Sequence, residues 1–171
     1  MTDTPVSAVM LAYGAEPYLR EAVDAVLASA GVAVELVLVD NGAFPESLAQ
    51  ITQDPRITVV TPGTNLGFAG GMNLAVGRTS HPVVVLVNSD ALVDQDALAV
   101  LARRLENPEV GIAGATILIA DEPETLNSAG NPLHVLGLSW AGDMGRPASE
   151  VSSVREVASA SGACMALRRE H

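Results

Sequence analysis

The stretch that decides the fold is Val83-Val84-Val85-Leu86-Val87-Asn88-Ser89-Asp90, in which five apolar residues give way to three polar ones. A continuous run rich in β-branched residues predicts a strand buried on both faces, as in a parallel sheet. The polar triplet then falls at the carboxyl end of that strand, which is where open α/β sheets bind their ligands. A carboxylate at this point can meet a metal ion or a ligand hydroxyl, so Asp90 is the first candidate site residue.

The composition predicts one globular domain. The chain has 171 residues, of which 49% are hydrophobic and 17% charged, a balance typical of a folded domain rather than of a disordered chain. The N-terminus carries no positive segment of the kind that begins a secretory signal. The longest apolar run, residues 110–120, is far shorter than the roughly 20 residues that a membrane-spanning helix needs. We therefore predict a cytoplasmic chain with no transmembrane segment.

The charges disfavour nucleic acid as a partner. The net charge is −11, all nine basic residues are Arg, and they form no basic cluster, whereas nucleic-acid-binding proteins carry basic patches. The excess of acidic residues is typical of a solvated surface. The single cysteine, Cys164, excludes an internal disulfide and a multi-cysteine zinc site. Its small apolar neighbours predict a buried structural thiol rather than a nucleophile.

Strands and helices alternate along the first two thirds of the chain. Apolar runs predict strands at residues 6–12, 34–39, 57–60, 83–87 and 110–120. Helical spacing and capping residues predict helices at 17–30, 45–53 and 95–106, the last with Asp94 as its N-cap, and a glycine-rich loop at 62–73 that runs into a helix through 74–76. This order predicts a mostly parallel sheet with helices on both faces.

The remainder of the chain is less regular. We interpret residues 121–156, which are rich in Gly, Pro, Ser and acidic residues, as a loop or small hairpin lying over the edge of the sheet. Residues 157–171 recover strand character, and we predict a final strand there with an uncovered edge that could pair with another chain. The whole chain, 1–171, is predicted to be a single domain with residues 1–120 as its core.

Three of the predicted strands end in polar residues, which parallel pairing would bring to one edge of the sheet. Tyr13 and Glu16 follow the first strand, Asp40 and Asn41 the second, and residues 88–90 the fourth. The glycine-rich segment opens a helix at the same edge, where free N–H groups favour phosphate. Taken singly, such residues are more typical of turns and N-caps. The glycine-rich segment also matches neither the P-loop nor the dinucleotide fingerprint.

Taken together and in this order, these segments resemble the family 2 glycosyltransferases, and within them the rhamnosyltransferase-like subgroup. The resemblance is carried by residues 9–16, 37–42, 65–73 and 86–90, and by residues 161–169 near the C-terminus. The most specific segment is Asn-Leu-Gly-Phe-Ala-Gly-Gly-Met-Asn at 65–73. The resemblance implies a GT-A fold, in which a mostly parallel sheet lies between helices.

The activity that the resemblance implies is transfer of a sugar from a nucleotide-diphospho-sugar, with dTDP or UDP as the nucleotide. The acceptor would be a hydroxyl of a glycan or lipid-linked molecule, and the product a cell-surface polysaccharide or glycan. Transfer would invert the anomeric centre. Peripheral association with the inner face of the membrane would come through such an acceptor. The sequence assigns no particular sugar and no oligomeric state.

The resemblance also implies a nucleotide-sugar-binding site. Its residues would be Ala12, Tyr13, Glu16, Asp40, Asn41, Asn65, Gly67, Phe68, Gly70, Gly71, Asn73, Asn88, Ser89 and Asp90. Asp40 would accept a hydrogen bond from the nucleobase. Asp90 would bind a divalent cation, Mg²⁺ or Mn²⁺, that bridges the diphosphate. Asn88 stands in place of the first acid of the family's D-x-D motif, and Gly14 in place of an Asn.

The acidic general base of the family follows its final strand, and we expect that region beyond His171. Four acids within the chain, Asp121, Glu122, Glu124 and Asp143, are candidates by reach alone, and surface charge is the other interpretation of them. The alternative function is therefore a nucleotide-sugar-binding fragment or pseudoenzyme. A sugar-phosphate nucleotidyltransferase is disfavoured, because residues 11–16 lack the glycine-rich basic pattern of its first loop.

Overall fold

The computed structural model describes residues 3–51 and 53–170. Its elements in chain order are β1 (Thr4–Gly14), α1 (Leu19–Leu27), β2 (Val32–Ala43), α2 (Pro45–Leu48), β3 (Ile57–Val60), α3 (Gly67–Val76), β4 (Val83–Val87), α4 (Ala97–Arg104), β5 (Ile112–Gly114), β6 (Ile117–Ile119), β7 (Glu122–Ser128) and β8 (Cys164–Arg168). A short 3₁₀ helix, Ala148–Glu150, lies between β7 and β8. The alternation predicted through β4 is confirmed, since each apolar run forms a strand and each intervening segment contains a helix.

Six strands form the main sheet in the order β3-β2-β1-β4-β8-β5. The four strands β1 to β4 pair in parallel, whereas β8 runs antiparallel to both β4 and β5. β6 and β7 form a separate antiparallel pair. The prediction of a mostly parallel sheet is confirmed.

Helices cover both faces of this sheet and create two hydrophobic cores. α1 and α4 lie on one face, where Leu19 and Leu98 are fully buried in a cluster with Met10 of β1. α3 lies on the other face, where Met72 joins a cluster with Val9. Residues 6–10 of β1 have no exposed surface, because a central parallel strand is covered on both sides.

A polar cluster fixes the connection between α3 and β4, near the amino ends of the strands. Ser7 Oγ donates to Glu35 Oε1 at 2.5 Å, and Ser80 donates to the same carboxylate through its N–H at 2.6 Å and its hydroxyl at 2.7 Å. The backbone N–H of His81 donates to Ser7 Oγ at 3.0 Å. Desolvation of Glu35 opposes ionisation, but these hydrogen bonds outweigh it and hold the pKa of the carboxyl below its ordinary value.

Two predicted strands differ from the structure. The run at 110–120 forms two strands, β5 and β6, because the chain leaves the main sheet at Ala115, whose N–H donates to Cys164 O at 3.1 Å. The final strand is β8, which begins only at Cys164. It lies inside the sheet with hydrogen-bonded neighbours on both sides, so the predicted uncovered edge is wrong. His171 falls outside the described residues.

The predicted helices are in place but shorter. α4 begins at Ala97 with Asp96 as its N-cap residue, whereas Asp94, the predicted N-cap, contributes only its carbonyl to the N–H of Ala97 at 3.0 Å. α1 lacks the predicted first and last turns, and α2 is a single turn; the predicted extension of α2 includes residue 52, which lies outside the described residues. No helix in the described part of the chain is both long and apolar enough to cross a membrane.

Candidate functional site

The carboxyl ends of β2, β1 and β4 lie side by side, because these strands are neighbours in the sheet. The register pairs Ala12 of β1 with Asp40 of β2, and Val9 of β1 with Leu86 of β4. The segments that follow, together with the start of α3, occupy the same edge. We call this edge the rim and define it by residues 12–16, 40–44, 65–73 and 88–90. It brings together all the site residues predicted from the sequence.

The start of α3 is tied to β2 by an asparagine pair. Asn41, which is only 2% exposed, donates from Nδ2 to Asn65 Oδ1 at 2.8 Å and accepts the N–H of Leu66 on its Oδ1 at 2.8 Å. Asn65 Oδ1 also accepts the N–H of Gly67 at 2.7 Å. Asn41 was predicted to contact the ligand, but in this arrangement it holds the rim together from beneath.

The glycine-rich segment is helical from Gly67 onward, so the prediction of a loop through residue 73 is wrong. Gly67 has a φ of +67°, a left-handed conformation that glycine adopts without strain. At Gly71, a Cβ would lie 2.1 Å from Leu11 Cδ1. The missing side chain therefore lets α3 approach β1 closely, and this packing outweighs the low helix propensity of glycine.

The acids next to β1 and β2 shape their own turns. Asp40 Oδ1 accepts the N–H groups of Gly42 at 3.1 Å and Ala43 at 3.0 Å, and its Oδ2 accepts from Thr61 Oγ1 at 3.4 Å. Glu16 Oε1 accepts the N–H of Tyr13 at 2.9 Å. Thr61 is a rim neighbour that the sequence prediction missed, since a threonine after β3 carries no local signal of this contact.

The Tyr and Phe side chains lie at the surface rather than in the core, and three of the four belong to the rim. The four Tyr and Phe residues of the chain are all strongly exposed: Tyr13 57%, Tyr18 58%, Phe44 55% and Phe68 49%. The ring of Tyr13 lies over Gly42, 3.6 Å from where a Cβ would stand, and the ring of Phe68 lies 3.6 Å from the same position at Gly162. Gly162 therefore brings the segment before β8 to the rim, a contact that we did not predict.

The triplet after β4 ends in an exposed carboxylate. Asn88 is half-buried, and its N–H donates to Ala163 O at 2.9 Å while its carbonyl accepts the N–H of Ala91 at 3.1 Å. Ser89 is 8% exposed. Asp90 is exposed in the turn that follows, so its carboxylate is free to meet a ligand from solvent.

The rim is acidic. Its segments contain three carboxylates, Glu16, Asp40 and Asp90, and no Arg, while the chain has no Lys. Within residues 3–51 and 53–170, no three His, Cys, Asp or Glu side chains come together as a metal cage. Mg²⁺ commonly binds through one or two carboxylates plus substrate phosphates. An acidic rim with an exposed carboxylate at Asp90 is thus compatible with a cation that shares its ligands with a diphosphate.

A shallow cavity of about 300 Å³ adjoins the rim between α1 and α2. It is lined by Glu16, Arg20, Phe44 and Ser47, among others, and does not include Asp40 or Asp90. Of the three rim carboxylates Asp90 is exposed, whereas Glu16 and Asp40 are half-buried.

The acids considered as a general base lie elsewhere. Asp143 is held by ion pairs with Arg155 and Arg146, and hydrogen bonds from these two guanidinium groups hold the pKa of its carboxyl below the ordinary value. Such a carboxylate is a poor proton acceptor. Cys164 is buried, as predicted, and burial raises the pKa of its thiol to about 11, which disfavours the nucleophilic thiolate.

Comparison with known sequences supports one family. The model of the family described as Glycosyl transferase family 2 matches residues 7–171. The succinoglycan biosynthesis protein ExoO of Rhizobium meliloti is 31% identical over 117 residues, which cover 67% of this chain and 32% of that protein. Glycosyltransferase GlyA of Streptococcus pneumoniae is 24% identical over 82% of this chain and 20% of its own length. The chain thus spans a third or less of these two relatives.

Solved structures of two glycosyltransferases share the fold. The mannosyltransferase PcManGT from Pyrobaculum calidifontis, in complex with GDP-Man and Mn²⁺, superposes with a TM-score of 0.69 at 18% identity, covering 99% of this chain and 46% of that one. Residues 1–349 of S. aureus TarS, in complex with UDP-GlcNAc, give a TM-score of 0.59 at 18% identity, covering 68% of this chain and 36% of that one. The fold is therefore GT-A-like, and with a family match over nearly its whole length the chain belongs to glycosyl transferase family 2.

Proposed function

We propose that the rim binds a nucleotide-diphospho-sugar and that the protein transfers the sugar to an acceptor hydroxyl. The observation that carries this proposal is the meeting of four family-type segments at one edge of the sheet, formed by the ends of β1, β2 and β4 and the start of α3. Such an edge is where open α/β sheets bind nucleotides. The relatives named as glycosyltransferases support the same chemistry.

In this proposal the nucleoside lies over the ends of β1 and β2. Tyr13 offers an exposed ring for stacking, and Asp40 offers carboxylate oxygens to a base N–H. The first turn of α3, fixed through Asn41, lies beside the phosphates. Phe68, Gly70, Asn73 and Ser89 complete the proposed contacts, whereas Gly71 contributes by letting α3 pack closely on Leu11 of β1.

A divalent cation would be required, because the rim has no Lys or Arg to balance a diphosphate. The cation would supply positive charge to the departing nucleotide diphosphate. Asp90 would hold it from the protein side, and Asn88 would offer a neutral oxygen to the ribose or to a bound water. The neighbour with Mn²⁺ and GDP-Man supports this combination of ligands.

The proposed reaction is a single inverting displacement. The acceptor oxygen forms a bond to the anomeric carbon while the bond from that carbon to the diphosphate oxygen breaks. The hydroxyl proton passes to a general base, for which none of the acids at the rim is assigned. We further propose a dTDP- or UDP-hexose donor and a rhamnosyltransferase-like specificity in surface glycan synthesis. The site of action would be the cytoplasm, at the inner face of the membrane.

A nucleotide-sugar-binding domain without turnover is the second candidate. It is favoured by the ion pairing and the exposure of the acidic residues outside the rim. Asp143 is paired with two arginines, and Asp121, Glu122 and Glu124 are exposed at the β6–β7 hairpin.

Calorimetry tests the donor site directly. We expect at least one of a set of dTDP-, UDP- and GDP-sugars to bind in the presence of Mn²⁺. Asp90→Asn should weaken that binding by roughly tenfold or more, since even indirect partners of metal ligands cost that much. The matched control is Asp94→Asn, an exposed aspartate on the same connection, which should bind normally.

Binding of no donor, or equal binding by Asp90→Asn, would overturn the site. Release of nucleotide diphosphate in the presence of glycan or lipid-linked acceptors then separates the two candidates. Release that depends on the acceptor supports transfer. Release at the rate of background hydrolysis with every acceptor supports the binding domain.

A further inference from the structure

The connection between β7 and β8 carries an exposed apolar hairpin, residues 132–140. Its strands are joined by a bridge between Leu133 and Ser139. Its apolar side chains are open to solvent: Leu133 58%, Val135 94%, Leu136 77%, Leu138 63% and Trp140 54%. Val135 and Leu136 form the turn at the tip, where they are the most exposed of these apolar side chains. Exposed apolar surface of this kind marks a contact with another phase or molecule.

Hydrogen bonds within the apolar hairpin pair several of its polar groups with one another. His134 N–H donates to Leu138 O and Gly137 N–H donates to His134 O, each at 2.8 Å. Leu136 N–H donates to His134 Nδ1 at 3.3 Å, and Ser139 Oγ donates to Pro132 O at 2.9 Å. A segment that enters hydrocarbon must pair its backbone groups internally. These hydrogen bonds therefore lower the free-energy cost of transferring the hairpin from water into lipid.

The absence of charged residues in and around the apolar hairpin favours an uncharged environment. Residues 125–142 contain no Asp, Glu, Lys or Arg, although the whole chain carries a net charge of −11. The next charged residue is Asp143, which forms ion pairs with Arg146 and Arg155 at the base of the hairpin. Lipid can surround the projecting tip, where Val135 and Leu136 are 94% and 77% exposed. The acidic remainder of the chain would be repelled by an anionic surface.

We propose that the apolar hairpin inserts into the interfacial layer of a lipid bilayer. Trp140 lies at its base, and tryptophan favours the boundary between headgroups and hydrocarbon. Leu136 and Val135, at the tip, enter deepest. The driving force is burial of apolar surface rather than attraction to charged lipid.

Insertion would bring the rim to the membrane surface. Asn131, at the root of the hairpin, donates its N–H to Ser159 O at 2.8 Å. Three residues after Ser159, Gly162 lies against the ring of Phe68, and Ala163 O accepts the N–H of Asn88. In this respect the inference deepens the proposed function and rests on it, because a donor site held at the bilayer suits a lipid-linked acceptor. Lipid binding itself is measurable without any donor.

The experiment uses the intact chain, in which Trp140 is the only tryptophan. Mixing with phosphatidylcholine vesicles should shift its fluorescence to shorter wavelength and sediment the protein with the lipid. The double variant Val135→Asn/Leu136→Asn should reduce partitioning by roughly tenfold or more, from the apolar surface removed. The matched control is Val154→Asn, which replaces a side chain that is 70% exposed outside the hairpin and should partition as the parent does. Anionic lipid should not strengthen binding.

Three outcomes would overturn the proposal. One is no fluorescence shift or sedimentation at millimolar lipid. Another is equal partitioning by the double variant and the parent. The third is a Trp140 spectrum already shifted without lipid, together with a dimer in light scattering that the double variant dissociates; the hairpin would then bind a second copy. Urea unfolding of the same samples shows that the variants fold, and donor calorimetry reports on the proposed function separately.

Discussion

Removing the Asn41 side chain should loosen the start of α3. Asn41→Ala deletes two hydrogen bonds of 2.8 Å, one to Asn65 and one from the N–H of Leu66. Each such bond contributes about 0.5–1.5 kcal/mol to folding, so the loss should lie at about 1–3 kcal/mol. Asn65 and Leu66 are exposed and can turn to water, which favours the lower half of that range, whereas the space left by a 2% exposed side chain adds to the cost. We expect about 2 kcal/mol.

A double-mutant cycle in urea isolates the pair. Asn65→Ala and the double variant complete the cycle, and the coupling free energy between the two positions should be about 0.5–1.5 kcal/mol. Asn73→Ala, an exposed asparagine on the same helix, is the matched control and should change stability by less than about 0.5 kcal/mol. Amide exchange should also quicken at residues 66–68. A coupling free energy of zero within error, or unchanged exchange, would refute the role given to Asn41.

Three further outcomes are expected. Gly67→Ala should lower the free energy of unfolding in urea by about 1–2 kcal/mol, because it forces alanine into the left-handed region. The control is Gly77→Ala, at a φ of −63°, which should change stability little. Equal effects of the two substitutions would contradict backbone strain at position 67. The lowered pKa of Glu35 gives a stabilisation that is complete above its unfolded value of 4.5 and is lost as the pH falls below that value. Glu35→Gln should therefore flatten the acid loss of stability, and an unchanged slope would contradict the cluster. Cys164, with a pKa of about 11, should react with Ellman's reagent at pH near 8 only when urea unfolds the chain, and rapid native labelling would show that the thiol is accessible.

Local pattern was sufficient for the parallel part of the sheet. The run at 83–87 is a strand in the structure because β-branched residues in an unbroken apolar series favour a buried strand. The meeting of polar strand ends at the rim followed from parallel pairing alone. Family resemblance supplied the proposed roles of the rim residues.

Features set by distant contacts were not predictable. β8 lies between β4 and β5 because Cys164 pairs with Val87, and nothing near residue 164 encodes that partner. The orientation of Asn41 is similar: a polar residue at a strand end can face a ligand or an inner partner, and Asn65 decides between them. Helical geometry at Gly70 and Gly71 came from packing on β1, against the propensity of glycine.

The position of β8 between β4 and β5 has a consequence for synthesis. β4 and β5 share no direct pairing, and each depends on β8 for its hydrogen bonds on one side. While a ribosome is still translating the residues before Cys164, the nascent chain can form the parallel strands but presents the apolar edge of β4 unpaired. Such edges recruit other chains, and pairings between distant segments form slowly. Arrest of translation before residue 164 should therefore yield chains that aggregate or recruit chaperones, whereas release after residue 168 should not.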